Sequence, residues 1–174
     1  MTQNMDSIWD KRFEGRELDD ITDYIVKKYH GNLWIELPKL ITSFSAIVDV
    51  HSPDYDILNE IKELVISLKD KLEKHLELEE KVQYPAINRY VKTNSNEDLK
   101  IAVDMIEELE EDHTIIKGTL EEIRQKAKNY FEVQCGCPAY NSAFDNLQDF
   151  EANILELIEL KEDILFPRLK ELKL

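Results

Sequence analysis

The stretch 57–85, ILNEIKELVISLKDKLEKHLELEEKVQYP, decides the fold of this chain. Its inward-facing positions recur at steps of three and four residues: Ile57, Ile61, Leu64, Leu68, Leu72, His75, Glu79 and Val82. These steps place the side chains on one face of an α-helix, because a helix completes a turn in about 3.6 residues. The face is apolar except near its end, where His75 and Glu79 lie one turn apart. The stretch therefore predicts a core helix that carries two polar side chains inward.

Three further stretches show the same periodicity. The first predicted helix begins near Asp19 and ends at 52–54, the third follows the polar loop 92–96, and the fourth follows the segment 135–138. Their inward faces are Ile21, Ile25, Tyr29, Leu33, Leu37, Leu40, Phe44 and Ile47; Leu99, Ala102, Ile106, Leu109, His113, Ile116, Leu120 and Ile123; and Phe144, Leu147, Phe150, Ile154, Leu157, Lys161 and Leu165. Long helices with short connections predict an all-α, up-down-up-down four-helix bundle over 18–174, preceded by an N-terminal arm at 1–17.

Composition and charge narrow the class of protein. The 174 residues suffice for one domain with a proper core, and only four glycines and five prolines favour long helices. A net charge of −15 repels phosphate backbones and anionic lipid headgroups, so neither nucleic acid nor a membrane is an expected partner. The sequence contains no apolar run of about 20 residues and no apolar stretch for secretion at its N-terminus, so a cytoplasmic protein is expected.

Polar residues interrupt the inward faces at one level of the predicted bundle. His30 borders the face of the first helix, His75 and Glu79 belong to the second, and His113 belongs to the third. Burying such groups without partners costs about 1–3 kcal/mol each. Counting residues along antiparallel helices brings the four side chains towards one layer, and their nitrogen and oxygen donors suit iron, manganese or zinc. We therefore expect a metal site, the alternative being that each histidine is a core residue with an ordinary hydrogen-bond partner.

The remaining histidine and the two cysteines lie away from this layer. His51 follows His30 by 21 residues, which is about 31 Å along a continuous helix, so it is excluded from the site. Cys135 and Cys137 lie at the same end as His51, and they form either a tight turn with a buried small residue or a small second metal or redox site. No glycine-rich phosphate loop and no serine–histidine–acid set can be identified. A binding protein is therefore expected rather than an enzyme.

Seven short motifs occur in an order that resembles a known family. They are Tyr29-His30, Leu37-Pro38-Lys39-Leu40, Val50-His51, His75-x-x-x-Glu79-Glu80, Asp112-His113, Cys137, and Ile164-Leu165-Phe166-Pro167. Over about residues 20–170 the chain resembles the hemerythrin-like, or HHE cation-binding, domain of the di-iron iron-sulfur cluster repair proteins. The resemblance implies a carboxylate-bridged di-iron centre and a role in the nitrosative and oxidative stress response. It also implies iron as the cofactor and damaged iron-sulfur proteins as partners.

The second and fourth predicted helices repeat each other, and the repeat breaks at two positions. Residues 75–85 read HLELEEKVQYP, and residues 157–167 read LIELKEDILFP. The resemblance implies a histidine and a bridging glutamate on the fourth helix, but this chain has Leu157 and Lys161 there. Two of the implied ligands are therefore replaced, and one of the replacements is a cation.

Three arrangements of the site follow from these replacements. A single ion binds the four predicted ligands; or Lys161 forms an ion pair with Glu79 in a metal-free bundle; or two ions bind with substitute ligands from Glu156, Glu159, Glu162 or a carbamylated Lys161. Three functions accompany them. The leading prediction is an iron-binding protein related to cluster repair, and the alternatives are an O₂ or NO binder or sensor and a metal-free scaffold that acts by protein contact.

Overall fold

The computed structural model describes residues 8–51, 56–128 and 137–172, and their side chains from residue 11 onwards. Over these ranges the chain forms a short helix, α1 (Ile8–Phe13), followed by four long helices. The long helices are α2 (18–51), α3 (57–93), α4 (96–126) and α5 (138–171). They correspond to the four predicted helices, so the expected all-α bundle is confirmed.

Three of the long helices contain a π-helical turn. The π turns are Val26–His30 in α2, Glu79–Gln83 in α3 and Lys161–Leu165 in α5. A π turn adds one residue to a helical turn, and such insertions occur frequently at functional sites. Helix α4 is instead interrupted by a single turn residue, Met105, between Asn96–Asp104 and Ile106–Lys126.

The four long helices surround a common core. Helix α2 packs against α3 and α5, and α4 packs against the same two helices. The start of α2 lies against the end of α3, and the start of α4 lies against the end of α5. Neighbouring helices therefore run antiparallel, as the short connections predict.

The predicted inward faces form this core except at three positions in α3. Ile57 and Leu64 are only half-buried, whereas the next residues, Leu58 and Val65, are buried. Every residue predicted to face inward from α2, α4 and α5 is buried. In α3, however, Val82 is 40% exposed, and Gln83 is buried beside it. The π turn Glu79–Gln83 explains the difference, because its extra residue moves the inward face one position along the chain. The buried Gln83 amide donates a hydrogen bond from Nε2 to the backbone oxygen of Ala102 at 3.2 Å.

Helix α3 also extends beyond its predicted end near Pro85. Pro85 directly follows the π turn Glu79–Gln83, so a residue that cannot donate a backbone hydrogen bond lies where the regular helical hydrogen-bond pattern already changes. The segment ends at Asn94, whose φ of 53° lies in the left-handed region that asparagine tolerates. The hydroxyl of Ser95 then accepts a hydrogen bond from the Asp98 backbone N–H at 3.4 Å and caps the start of α4.

Residues 13–16, at the end of α1 and just after it, lie against the bundle. Phe13 is fully buried and meets the ring of Tyr24 edge-on at 5.2 Å. The guanidinium of Arg168 donates hydrogen bonds to the backbone oxygens of Phe13 and Arg16. Among the helices that the structure describes, none combines the length and apolar character that crossing a bilayer requires. The arm at 1–17 and the cytoplasmic location stay predictions.

Candidate metal centre

The four predicted ligands lie in one layer of the bundle, at the level of the π turns. His30 ends the π turn of α2, and Glu79 begins the π turn of α3. His75 lies one helical turn before Glu79, and His113 lies in the middle of α4. Their exposed fractions are between 0% and 2%. The layer is therefore sealed from solvent by the helices that supply it.

Two of the three imidazoles meet at one oxygen of Glu79. Its Oε2 lies 3.4 Å from Nε2 of His30 and 3.5 Å from Nε2 of His75. The rings of His75 and His113 have centroids 4.9 Å apart. His75, Glu79 and His113 each offer a ligand atom, and these atoms all lie within 4.8 Å of one another. His30 lies outside this tighter group but contacts the same carboxylate oxygen.

These separations match the spacing of donors around one small cation. Two donors about 2.1 Å from an ion and at a tetrahedral angle lie about 3.4 Å apart. The distances from Glu79 Oε2 to His30 and to His75 are therefore compatible with ligands that share an ion. The geometry fits a metal without a large movement of either imidazole.

Each histidine is fixed through its other ring nitrogen. The pairs are His30 Nδ1 with Glu80 Oε1 (2.9 Å), His75 Nδ1 with Asp112 Oδ2 (3.3 Å), and His113 Nδ1 with Glu162 Oε1 (3.1 Å). An ionised carboxylate can only accept, so in each pair Nδ1 carries the proton and donates it. The lone pair of each Nε2 then faces the interior. Carboxylates behind ligating imidazoles are the usual outer layer of protein metal sites.

No outer role was predicted for these three carboxylates from the sequence, where Glu162 was named only as a substitute metal ligand. Glu80 and Glu162 directly follow positions 79 and 161 in the repeat, and Asp112 directly precedes His113. The signal in the sequence that could have identified them is an acidic residue directly beside each of positions 79, 113 and 161.

Cations and a donor from the outer surface hold these carboxylates. Lys71 donates to Asp112, and Lys117 donates to Glu162 at 2.6 Å. The indole of Trp34 donates to Glu80 at 3.1 Å. Lysines outside the layer thus neutralise Asp112 and Glu162, and the indole of Trp34 orients Glu80.

Burial keeps two of the imidazoles neutral. Desolvation lowers the pKa of His75 to about 4. Desolvation, followed by the charge of Lys161, lowers the pKa of His113 to about 2. Neutral imidazole is the form that binds metals. Both side chains can therefore bind a cation at neutral pH without first losing a proton.

Three buried ligand atoms have no hydrogen-bond partner among the described residues. They are Nε2 of His30, Nε2 of His113 and Oε1 of Glu79. An unpaired buried polar atom costs about 1–3 kcal/mol, so three in one layer need an explanation. A bound cation would satisfy all three, which is a second reason that these residues fit a metal.

Lys161 brings a positive charge into the same layer. Its Nζ donates to Glu79 Oε2 at 2.6 Å and lies 3.4 Å from Nε2 of His75, with the side chain 1% exposed. Burial lowers the pKa of Lys161 against the opposing charge of Glu79. Against the effect of burial, the charge of Lys161 holds the pKa of Glu79 well below its usual value. The ion pair foreseen in the second arrangement is therefore present.

The substitute carboxylates of the third arrangement are occupied elsewhere. Glu156 accepts from Lys28 at 3.1 Å, and Glu159 is exposed. Glu162 serves His113 and Lys117. The position aligned with His75 is Leu157, which is buried with an exposed fraction of 2%. These contacts give no support to a second ion held by the three glutamates.

The predicted second site is only partly described. His51 is half-buried and meets the ring of Tyr140 edge-on at 5.4 Å. Cys137 is half-buried at the start of α5. Cys135 lies outside the described residues, so neither alternative, a tight turn or a small second site with His51, is tested.

A buried histidine–carboxylate cluster within four antiparallel helices defines a cation-binding helical bundle. The model of the hemerythrin HHE cation-binding domain matches residues 22–169. The chain therefore belongs to the hemerythrin HHE cation-binding family. The predicted resemblance is confirmed, and so is the expectation of a non-haem metal cofactor.

Similar proteins carry names that refer to iron-sulfur clusters. The iron-sulfur cluster repair protein ScdA of Staphylococcus haemolyticus is 24% identical over 146 residues, which cover 84% of this chain and 64% of the relative. The iron-sulfur cluster repair protein YtfE of Escherichia coli O81 is 23% identical over 159 residues, or 91% of this chain and 69% of the relative. YtfE of Salmonella typhimurium is 22% identical with the same coverage. The chain thus spans about two thirds of the length of these relatives.

Proposed function

We propose that this chain holds one iron ion through His75, Glu79 and His113, with His30 as the fourth ligand. We further propose that it serves in the repair of iron-sulfur clusters damaged by nitrosative or oxidative stress. The observation that carries the metal assignment is the common orientation of the imidazoles, each with Nδ1 tied to a carboxylate and Nε2 left inside. Nitrogen donors together with one carboxylate suit iron. The names of the similar proteins support the repair role.

Iron bound in this layer would supply one-electron chemistry and an open coordination position. The residues of the chain supply the remaining requirements. The outer carboxylates orient the imidazoles, because a proton fixed on Nδ1 leaves only Nε2 to bind. Leu109 and Ile116, buried one turn on either side of His113, keep water from the layer. The net charge of −15 attracts cations to the protein as a whole.

Metal content after anaerobic loading with Fe(II) tests the metal assignment. We expect one iron per chain, measured by elemental analysis after unbound metal has been removed by gel filtration. The variants H75L and H113L should lose the ion, whereas the control H51L should retain it, because His51 lies outside the layer. A wild-type chain that stays free of metal after loading with Fe(II), Mn(II) or Zn(II) would refute the proposal and favour the scaffold function.

Recovery of a damaged iron-sulfur enzyme tests the repair role separately. An enzyme whose cluster has been broken down by NO is incubated with the iron-loaded chain, a thiol reductant and a sulfide source. We expect faster recovery of the cluster absorbance than with the same amount of free Fe(II). The H113L variant, treated in the same way, should give no advantage over free Fe(II). Equal recovery with wild-type chain and with free Fe(II) would remove the repair role while leaving the metal site intact.

A second candidate function, binding of NO or O₂, uses the same ligands. The observation that favours it is the small number of protein donors, because an ion held by three or four side chains keeps a position open for a small ligand. The iron form would then change its optical spectrum on exposure to NO or O₂ under conditions where H113L does not. An unchanged spectrum would exclude this function.

A further inference from the structure

The metal layer is built from two matching halves. In the first half, Nδ1 of His30 donates to Glu80 at 2.9 Å. The ring of His30 stacks on the ring of Tyr84, with centroids 5.7 Å apart and planes at 22°. The π turn Glu79–Gln83 carries Glu80 and directly precedes Tyr84. One histidine is thus held between a carboxylate and an aromatic ring that come from the same helical segment.

The second half repeats this arrangement. Nδ1 of His113 donates to Glu162 at 3.1 Å. The ring of His113 stacks on the ring of Phe166, with centroids 5.7 Å apart and planes at 10°. The π turn Lys161–Leu165 carries Glu162 and directly precedes Phe166. The support for a ligating histidine is therefore present twice.

The halves differ in the residues that face the interior of the layer. Aligning 157–167 with 75–85 places Leu157 at the position of His75 and Lys161 at the position of Glu79. Leu157 and Lys161 are 2% and 1% exposed. The scaffold of the second half is thus retained, whereas its donor pair is replaced by an apolar side chain and a cation.

We propose that the Lys161 ammonium is the resident cation of the second half, which restricts the site to one metal ion and holds Glu79 in place when that ion is absent. The inference rests on the metal site proposed above and adds the number of ions and the residue that sets it. Its basis is the 2.6 Å contact between Nζ of Lys161 and Oε2 of Glu79 in a fully enclosed layer.

The position of Nζ explains the restriction. Oε2 of Glu79 already lies within 3.5 Å of both His30 and His75, so a metal bound by this carboxylate has the ammonium as a close neighbour. A third cation in the same layer would be repelled by both the ion and the ammonium, because screening is weak inside a protein. A second ion would have to displace the ammonium, and Leu157 offers no donor in return. One ion and one ammonium therefore share the charge of the layer.

Copying the donor pair of α3 onto α5 tests this inference. In the double variant L157H/K161E, the two introduced side chains, together with His30 and a shared Glu79, supply donors for a second ion. His75 and His113 remain for the first. We expect bound Fe(II) to rise from one to two ions per chain, measured by elemental analysis after anaerobic loading. Either single variant, L157H or K161E, should bind fewer ions than the double variant.

The variant K170E controls for the change of charge that K161E introduces. Lys170 lies on the same helix, is exposed, and pairs with Glu110 at 2.7 Å. The variant K170E reverses the same charge outside the layer and should still bind one ion. A folded double variant that still binds one ion, or a wild-type chain that binds two, would overturn the inference. A wild-type chain that binds none would instead overturn the proposed function.

A second measurement decides the matter if the double variant does not fold. In K161M, the ammonium is removed and a side chain of similar length is kept. Without metal, Glu79 then lacks its cation, so the melting temperature of the metal-free protein should fall. Added Fe(II) should raise the melting temperature of K161M by more than that of wild type, because the ion takes over the role of the ammonium. Equal melting temperatures of metal-free K161M and wild type would overturn the inference.

Discussion

The metal-free protein should lose stability between pH 7 and pH 5, because two buried histidines remain neutral only while the chain is folded. His75 has a folded pKa of about 4, and His113 has a folded pKa of about 2. In an unfolded chain the histidines have the ordinary pKa of about 6.5. Both folded pKa values are depressed, so the unfolded state binds protons that the folded state does not.

The sign and the size of the effect follow from this difference. The stability that these histidines contribute is present above pH 6.5 and is lost as the pH falls through 6.5 towards the folded pKa values. Between pH 7 and pH 5 each histidine destabilises the fold by about 2 kcal/mol, which gives about 4 kcal/mol for the pair. Small domains are stable by about 5–15 kcal/mol, so the loss is a large part of the total. Glu79 affects stability at lower pH, because its pKa in the folded protein lies well below 4.5. The stability that it contributes is lost only as the pH falls below 4.5.

Urea unfolding at several pH values measures this loss. The protein is kept free of metal with a chelator, and the free energy of unfolding is determined at pH 7, 6 and 5. The variant H113Q removes one of the two buried imidazoles and should retain about half of the pH dependence. The control H51Q alters a half-buried histidine outside the layer. It should leave unchanged the pH dependence of the free energy of unfolding that is due to His75 and His113.

The result that would refute the reasoning is a free energy of unfolding that stays constant from pH 7 to pH 5. Such a result would mean that His75 and His113 accept protons in the folded protein as readily as in the unfolded chain. An H113Q variant with the full pH dependence of wild type would contradict the assignment of the effect to that residue.

Three further predictions concern stability. In the metal-free protein, K161M should lower the free energy of unfolding by about 3–5 kcal/mol, because it leaves the Glu79 carboxylate buried without a cation. The double variant E79Q/K161M should lose much less stability. Chemical denaturation measures both variants, and equal losses would contradict the buried ion pair. Replacing Leu120, which is fully buried in α4, by alanine should cost about 2–5 kcal/mol in the same assay, and a loss below about 1 kcal/mol would contradict its packing. S95A removes the cap that accepts from Asp98 and should cost about 1 kcal/mol, while S95N should restore most of the loss; unchanged stability of S95A would show that the cap is not made in solution.

The order of the helices and the identity of the four candidate ligands could be predicted from the sequence. Leu120 and Phe150 are buried because their spacing places them on apolar faces, and this spacing is a local property of the chain. The same periodicity places His75, Glu79 and His113 inside. The internal repeat between 75–85 and 157–167 also identifies Leu157 and Lys161 as the positions where the two helices differ in their inward-facing polar residues.

Other features depend on how the helices are rotated against one another, and these were decided by the tertiary structure. The burial of Gln83 in place of Val82 follows from a π turn that periodicity of 3.6 residues does not include. The pairing of His113 with Glu162 joins residues 49 positions apart on different helices. Lys161 could have reached solvent or an outer glutamate, but packing of α5 against the bundle brings its Nζ to Glu79. Helical periodicity fixes which face of a helix is buried, whereas contacts of 3 Å between helices also require their relative rotation and depth, which only the packed core sets.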